Sequence, residues 1–156
     1  MEKFTFFWSG PFSQWHPSPF EIDGVRYGCA EQYMMAEKAR FFGDEMTEER
    51  IMGTTNPKAQ KNFGRQVRGF QQDKWEAVAR DIVKRGSRAK FDQNPGIKET
   101  LLATAGTTLV EASPYDRIWG IGLSGSDLRA LDRKQWLGTN WLGEILTMVR
   151  DGMLAG

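Results

Sequence analysis

The sequence predicts a mainly α-helical fold with a few short β-strands, an α+β class, in a single domain over residues 1–156. Most of the longer segments space their apolar residues as a helix face does, and only short runs at residues 4–8, 20–27 and 107–112 favour strands. A length of 156 residues is typical of one domain, and no repeat, low-complexity tract or linker divides the chain.

Short strands and a loop are predicted at the start of the chain. Residues 4–8 are an apolar run of strand length, and residues 9–19 form a loop because they contain glycine and three prolines. The pair Asp23-Gly24 stands in the middle of residues 20–27, where such a pair is typical of a hairpin turn between two short strands.

The remaining elements are mostly helices. Residues 30–42 follow a helical pattern, and Gly43 lies just past their end, where helices often stop. Cap residues and periodicity predict further helices at residues 47–52, from Asn56-Pro57, from a capping box at Asp73 to about residue 91, from Asn94-Pro95 to Gly106, and from near Asn140 to Gly152. Two irregular stretches remain, residues 9–19 and 113–139, and long loops inside compact domains are often functional.

The composition limits which binding partners and which cellular compartment we expect. The 21 basic and 20 acidic residues give a net charge of +1, which offers no general reason to expect a nucleic-acid backbone as partner. The sequence has neither signal-peptide features nor an apolar run approaching about 20 residues, so we expect a cytoplasmic protein with no membrane partner. Six tryptophans are more than such a core usually needs, and a ligand with a flat ring would use the excess.

Gly120, Gly122 and Gly125 spell G-x-G-x-x-G, the pattern of a dinucleotide-binding turn. Such a turn follows a strand, opens a helix and begins a βαβ unit. Here residues 114–119 separate the glycines from the nearest β-prone run, and too few residues follow Gly125 to complete such a domain. A P-loop pattern is also missing, so we expect no cofactor.

The sequence contains few residues that could act as nucleophiles or bind a metal. Cys29 is the only cysteine and His16 the only histidine, and one of each cannot make a zinc site of the usual kinds. No D-x-D cluster indicates a magnesium site, so no metal-binding residue is assigned, and the sequence leaves open whether a metal assists. The spacing leaves a Cys–His pair open, but a lone cysteine beside a helix start is more often a small buried residue. Acid–base chemistry by carboxylates is what remains.

Two carboxylates stand out in aromatic and polar surroundings. Glu31 lies in the first turn of the helix predicted at residues 30–42, where an acid also complements the helix dipole. Asp116 lies between Tyr115 and Trp119 in the long loop, where an aspartate also caps its own backbone. Both are candidate catalytic residues, and each has this simpler structural explanation beside the catalytic one.

Together with their neighbours, these residues resemble the NADAR domain family, also called YbiA-like, over nearly the whole chain. The order and spacing of the matching segments carry the resemblance. The segments are Phe12-Ser13-Gln14-Trp15, Ala30-Glu31-Gln32-Tyr33 with Lys38, Gly64-Arg65, Trp75, Arg88-Ala89-Lys90-Phe91, Leu101-Leu102-Ala103-Thr104, Leu109-Val110-Glu111, and residues 116–120 and 138–143. The resemblance implies a mainly α fold and an N-glycosidase. Members similar to this chain hydrolyse ribosylated riboflavin-pathway intermediates, and others remove ADP-ribose from guanine in nucleic acid.

The implied reaction assigns roles to the candidates. Breaking a ribosyl C1′–N bond builds positive charge on the sugar, which Glu31 or Asp116 would stabilise while deprotonating the attacking water. The other carboxylate would orient a ribose hydroxyl or assist departure of the base. Candidate substrate-binding residues are of three kinds: the stacking rings Trp119, Trp75 and Trp8, the phosphate-binding cations Lys38, Arg65 and Lys90, and the hydrogen-bonding amides Gln32, Asn140 and Gln14.

Two positions depart from the family pattern. Gln14 stands where the family often has asparagine, and Ile121 stands where some riboflavin-type members have aspartate. The expected ligand is a small phosphorylated N-riboside or a molecule like ADP-ribose. Two alternatives stay open, namely removal of ADP-ribose from guanine in nucleic acid, and a module that binds ADP-ribose or a related nucleotide without cleaving it. The sequence leaves the oligomeric state open.

Overall fold

The computed structural model describes residues 1–156, and its six α-helices and four short strands confirm the mainly α class. In chain order the elements are β1 (Phe4–Phe7), β2 (Phe20–Ile22), β3 (Val25–Tyr27), α1 (Ala30–Phe41), α2 (Glu45–Met52), α3 (Pro57–Gly64), α4 (Gln72–Asp92), α5 (Pro95–Leu102), β4 (Thr108–Glu111) and α6 (Trp141–Ala155). Two short 3-10 helices, Leu128–Leu131 and Arg133–Gln135, lie between β4 and α6.

The chain divides into two compact units, which are described separately. The central unit is Gln14–Pro95, and the terminal unit consists of Met1–Ser13 and Gly96–Gly156. The prediction of one domain over residues 1–156 stays a prediction. None of the helices combines the length and the apolar character that crossing a bilayer requires.

The central unit begins with the predicted hairpin, in which β2 and β3 pair antiparallel. Asp23 and Gly24 connect the strands with φ angles of 53° and 80°. Two-residue hairpin turns with both central residues in the left-handed region match the twist of the flanking strands, which explains the Asp-Gly pair.

Helix α1 forms the centre of this unit and packs against α2, α3 and α4. Eight of its 12 residues are buried, so it has no broad polar face. Glycines on its neighbours permit the close approach: a Cβ at Gly86 of α4 would lie 2.6 Å from the Tyr33 ring, and one at Gly64 of α3 would overlap the sulfur of Met35. The burial of α1 therefore depends on small residues across from it.

Two predicted helix starts are wrong. Helix α2 begins at Glu45 instead of residue 47, because Asp44 is its N-cap and its Oδ1 accepts a hydrogen bond from the Thr47 N–H at 3.1 Å. Helix α4 begins at Gln72, and its N-cap, Gln71, makes no side-chain cap bond. The predicted capping box at Asp73 is absent, because Asp73 already lies inside the first turn, where its charge complements the helix dipole.

Two predicted helix ends are also displaced. Helix α5 stops at Leu102, ahead of the predicted Gly106, and the Thr104 hydroxyl donates to the carbonyl of Leu101 at 2.7 Å just beyond it. Threonine hydroxyls that bond nearby carbonyls compete with helix continuation. Helix α6 runs past the predicted Gly152, because a glycine lowers helix stability without ending the helix.

In the terminal unit, β1 and β4 form a two-stranded parallel sheet with Phe7 opposite Glu111. Helix α6 packs on β4, and its predicted apolar stripe is buried, namely Leu142, Ile145, Leu146 and Val149. Because the strands are parallel, both of their carboxyl ends lie at the same edge of the sheet. The residues that follow β1 and those that follow β4 therefore leave the sheet side by side.

The contact between α6 and β4 predicts opposite effects for two glycine substitutions. A Cβ at Gly143 of α6 would overlap the carbonyl oxygen of Leu109, whereas one at Gly96 of α5 meets nothing within 4 Å. We expect Gly143→Ala to lower the free energy of unfolding by about 1–3 kcal/mol through overpacking. We expect Gly96→Ala to raise it by about 0.4–1 kcal/mol through the unfolded state. Urea unfolding followed by circular dichroism measures both, and equal stabilisation by the two variants would contradict the close packing of α6 on β4.

Candidate active site

Glu31 is a buried carboxylate at the N-terminus of α1. Its side chain is 4% exposed, and its backbone N–H donates to the Gln14 carbonyl at 2.9 Å, which anchors the first turn to the preceding loop. The helix N-cap, Cys29, makes no side-chain cap bond. The positive end of the helix dipole favours an acid here, which offsets part of the cost of burying the charge.

Lys38 and Arg65 share the electrostatic surroundings of Glu31. Lys38 is half-buried on α1, and burial lowers the pKa of its ammonium, with Arg65 lowering it further and Glu31 opposing both. Its Nζ lies 4.5 Å from the centroid of the Phe70 ring and 6.0 Å from that of Trp75. The structure thus brings a buried acid and two cations, which the sequence placed far apart, into range of one another.

Lys90 is the most deeply buried cation of the central unit. Its side chain is 1% exposed, and burial lowers the pKa of the ammonium to about 7, although Cys29 raises it. Burial is also the main cause that lowers the pKa of His16, and Lys90 lowers it further. Glu31 and Lys90 both act on the titration of Cys29, so these two charged groups share one neighbour.

Cys29 has the surroundings of a structural thiol. Its Sγ donates to Gln60 Oε1 at 3.3 Å, and burial is the largest cause that raises the pKa of the thiol, with Glu31 raising it further. Nucleophilic cysteines need the opposite, a thiolate stabilised in partly exposed electropositive surroundings. A Cys29–His16 nucleophile therefore has no support in the structure. No group of three or more His, Cys, Asp or Glu side chains is placed to hold a metal ion.

Three predicted substrate-binding residues of the central unit have contacts within the fold. Gln32 Oε1 accepts from the Gly28 N–H at 2.9 Å, and its Nε2 donates to the Ile51 and Thr54 carbonyls, so both ends of the amide are used. The other two are Trp75, which is 7% exposed, and Gln14, whose Nε2 lies 3.7 Å from the Met34 sulfur. A role of these three in binding substrate stays a prediction.

Asp116 belongs to the terminal unit, where it orders the long loop. Its Oδ1 accepts from the N–H groups of Ile118 and Trp119, at 2.9 and 2.8 Å, which is an Asx-turn. This is the structural role that the sequence offered as the simpler explanation. Its Oδ2 accepts no hydrogen bond from the protein, so one oxygen of the half-buried carboxylate is available to a ligand.

The predicted rings of the terminal unit differ in exposure. Trp119 is half-buried and meets Trp141 edge to face, with ring centroids 5.6 Å apart. Trp8 is 59% exposed and lies against Tyr115, with centroids 6.1 Å apart. Tyr115, which precedes Asp116 in the chain, is 85% exposed.

Asn140 is fully buried and bonds to the sheet. Its Oδ1 accepts from the Glu111 N–H at 2.9 Å, and its Nδ2 donates to the Leu109 carbonyl at 3.0 Å. Although Asn140 holds the N-cap position of α6, its φ of 52° is left-handed and its side chain makes no cap bond. The amide thus ties the start of α6 to β4, and its predicted contact with substrate stays a prediction.

The glycines of the apparent dinucleotide pattern allow the loop to pack closely. A Cβ at Gly120 would lie 2.8 Å from Glu111 Oε2, and Gly122 has a φ of 71°. No doubly wound sheet is present, because each of the two sheets has two strands. Ile121 is fully buried in a cluster with Val110 and neighbouring apolar residues, so its side chain is part of the core of the terminal unit.

Comparison with known proteins confirms the resemblance found in the sequence. A family model described as the NADAR domain matches residues 6–154. "N-glycosidase R617" of Acanthamoeba polyphaga mimivirus is 43% identical over 145 residues, covering 90% of this chain and 85% of that protein. "Riboflavin biosynthesis protein PYRR, chloroplastic" of Zea mays is 30% identical over 159 residues, covering 93% of this chain but only 23% of that protein.

The bacterial relative is similar in both sequence and structure. "N-glycosidase YbiA" of Escherichia coli strain K12 is 32% identical over 142 residues, which cover 91% of this chain and 80% of that protein. The NMR structure of E. coli YbiA matches with a TM-score of 0.80 at 29% identity, covering 99% of this chain and 88% of that one. The fold is therefore shared over essentially the full chain.

Burial of Lys90 predicts an unusual titration. The folded state releases the Lys90 proton at a pH near 7, whereas the unfolded state keeps it up to the ordinary pKa of 10.5. Between these values the unfolded state binds more protons, so this residue makes stability rise with pH from about 7 to about 10. The ¹³Cε resonance of Lys90 measures the midpoint directly, and Lys90→Met should flatten the stability profile in that window. A midpoint above pH 9 would contradict the buried position of the ammonium.

Proposed function

Because the chain belongs to the NADAR domain family, we propose that it hydrolyses the C1′–N bond between ribose and base in a phosphorylated ribosyl metabolite. The enzyme class predicted from the sequence, a hydrolase acting on N-glycosyl bonds, is confirmed by curated relatives named N-glycosidases. The name of the maize relative supports a base of the kind found among riboflavin-pathway intermediates.

The buried carboxylate of Glu31 is the observation that carries this proposal. Cleavage of an N-riboside passes through a sugar with oxocarbenium-like positive charge at C1′. A carboxylate held in surroundings that exclude water stabilises such a charge more strongly than one in bulk solvent. Glu31 has this position, since it is nearly inaccessible and its backbone is fixed by the bond to Gln14.

Glu31 also serves as the base that activates water. The C1′–N bond breaks, its electron pair passes to the base nitrogen, and the water oxygen bonds to C1′ as Glu31 accepts the water proton. The departing nitrogen takes a proton from Lys90, whose pKa of about 7 allows it to donate near neutral pH. The products are ribose phosphate and the free base.

Lys38 and Arg65 supply charge for the phosphate. Arg65 is exposed and offers a planar fork of donors, whereas Lys38 is a compact charge that Phe70 and Trp75 hold in place. Lys90, which the sequence also assigned to phosphate, is better suited to proton transfer because its ammonium is destabilised at neutral pH. Asp116 belongs to the terminal unit, and its predicted part in the reaction stays a prediction.

Replacing Glu31 tests the proposal. We expect Glu31→Gln to lower kcat for release of the base by on the order of 10²–10⁴, because the variant keeps the shape of the side chain but loses its charge and basicity. Chromatography of the free base, released from ribosylated pyrimidine phosphates, measures the rate. Glu45→Gln is the matched control, since Glu45 also lies in a helix first turn but is exposed.

Two outcomes would contradict the proposal. A folded Glu31→Gln variant with wild-type rates would remove Glu31 from the chemistry. A wild-type protein that binds the riboside by calorimetry but releases no base would indicate a binding module instead. Thermal melting of both variants controls for loss of structure, and Glu45→Gln should keep both the wild-type rate and the wild-type melting temperature.

A further inference from the structure

Trp15 is an exposed tryptophan in a loop that lies along the start of α1. Two backbone hydrogen bonds fix this loop. The Gln14 carbonyl accepts from the Glu31 N–H at 2.9 Å, and the Ser18 N–H donates to the Gly28 carbonyl at 3.0 Å. Trp15 lies between these two bonds and is still 41% exposed, so part of a large ring system on an ordered segment faces solvent.

The neighbours of Trp15 in the loop contact the proposed reaction centre. Gln14, before it, is bonded to the backbone of Glu31, the proposed general base. His16, after it, lies within electrostatic range of Lys90, because burial lowers the pKa of the His16 imidazole and the Lys90 ammonium lowers it further. Trp15 therefore lies between a residue that touches the proposed general base and one whose titration responds to the proposed general acid.

A cation of α3 lies beside the ring of Trp15. Lys61 Nζ is 5.9 Å from the ring centroid. Lys61 precedes Arg65, the C-cap of α3, by one turn, and the Arg65 N–H donates to the Lys61 carbonyl at 3.1 Å. Residues four apart lie on the same face of a helix. The ring of Trp15 is therefore next to the face of α3 that carries Arg65, which is assigned to the phosphate.

We propose that Trp15 is the stacking surface for the flat heteroaromatic base of the N-ribosyl substrate. This inference rests on the proposed function and deepens it by adding a residue that determines specificity. Glu31, Lys90, Arg65 and Trp15 all belong to the central unit. Stacking on Trp15 selects ligands that carry a base over the sugar phosphate alone.

The surroundings of Trp15 suit a base that is joined to a phosphate. Lys61 and Arg65 are both exposed, and cations beside a ring favour a ligand that combines a flat face with negative charge. A phosphorylated riboside has both features, whereas an apolar ring has only the first. Trp75, the predicted stacking ring of the same unit, is 7% exposed, so Trp15 offers a base the larger accessible face.

Binding measurements with and without a base test this assignment. Ribose 5-phosphate and pseudouridine 5′-phosphate are titrated into the wild-type protein by calorimetry. Pseudouridine carries uracil on a C1′–C bond, which hydrolysis of N-glycosyl bonds leaves intact. The 5′-phosphates of aminopyrimidine and guanine ribosides are titrated into Glu31→Gln, in which we expect slow cleavage.

The expected result is a preference for the base that depends on the indole. At least one nucleotide should bind about tenfold more tightly than ribose 5-phosphate, because stacking adds to the affinity. Adding Trp15→Leu to the same protein should weaken that nucleotide by about 5- to 150-fold and leave ribose 5-phosphate unchanged. In turnover assays Trp15→Leu should raise KM with little change in kcat, which a general loss of structure would not do.

Two further variants separate stacking from a structural effect. Trp15→Phe keeps an aromatic face and should keep most of the affinity that Trp15→Leu loses. Phe41→Leu is the matched control, because Phe41 is a 46% exposed aromatic residue at the other end of α1. It lies about 15 Å along the helix axis from Glu31, at about 1.5 Å per residue, and should bind every probe as the wild type does.

Fluorescence gives a second measurement that does not depend on the folding of Trp15→Leu. A base stacked on the Trp15 indole quenches its emission, so the nucleotide that binds most tightly should quench the wild-type protein more than Trp15→Phe. Ribose 5-phosphate should quench the two proteins equally. Equal quenching of both proteins by the nucleotide would overturn the assignment.

The outcomes for Trp15 and for the proposed function are separate. Equal affinity for nucleotides and ribose 5-phosphate, or full nucleotide affinity in a folded Trp15→Leu variant, would overturn the stacking role and leave the Glu31 mechanism untouched. Loss of nucleotide affinity in Trp15→Leu, together with a wild-type protein that releases no base, would support the stacking role and refute the proposed reaction.

Discussion

Burial of helix α1 on nearly every side is the constraint on which the central unit depends. A helix without a broad polar face must be surrounded, and α2, α3 and α4 surround it at distances that glycine permits at positions 64 and 86. The same burial takes Glu31 out of water and half-buries Lys38. The charges available for chemistry are therefore a direct consequence of the packing that holds this unit together, since both reside on its central helix.

Buried charges of opposite sign give this unit its chemical character. Desolvation raises the energy of a buried ammonium, which is why burial lowers the pKa of Lys90 to about 7. Burial disfavours the charged form of Glu31 less than that of Lys90, because the positive end of the helix dipole stabilises a carboxylate. In the proposed reaction, Glu31 is the base and Lys90 the acid, and burial of the Lys90 ammonium lowers its pKa to about 7.

In the terminal unit, hydrogen bonds and close packing hold a long irregular segment in place. Asn140 bonds the backbone of β4 through both ends of its amide, and Asp116 closes a turn in the same segment. Gly120 lets the chain pass against Glu111. Because these contacts are made to backbone groups, they order the loop independently of most side chains around them and leave Trp8 and Tyr115 free to face solvent.

The fold class, the hairpin at Asp23-Gly24, the helix beginning at Pro57 and the membership of the family are predictable from the sequence, because they depend on local periodicity, turn residues and the order of motifs. The predicted start of α4 is wrong, since Asp73 satisfies the pattern of a cap while the chain is already helical at Gln72. Which polar side chains form hydrogen bonds within the fold depends on contacts between elements distant in the chain, so local sequence patterns do not predict it. Gln32 and Asn140 are locally equivalent to ligand-binding amides, yet their partners lie on other elements. Likewise, the local sequence around Lys90 is that of an ordinary surface lysine. Its burial, which no local pattern encodes, removes water from the ammonium and lowers its pKa.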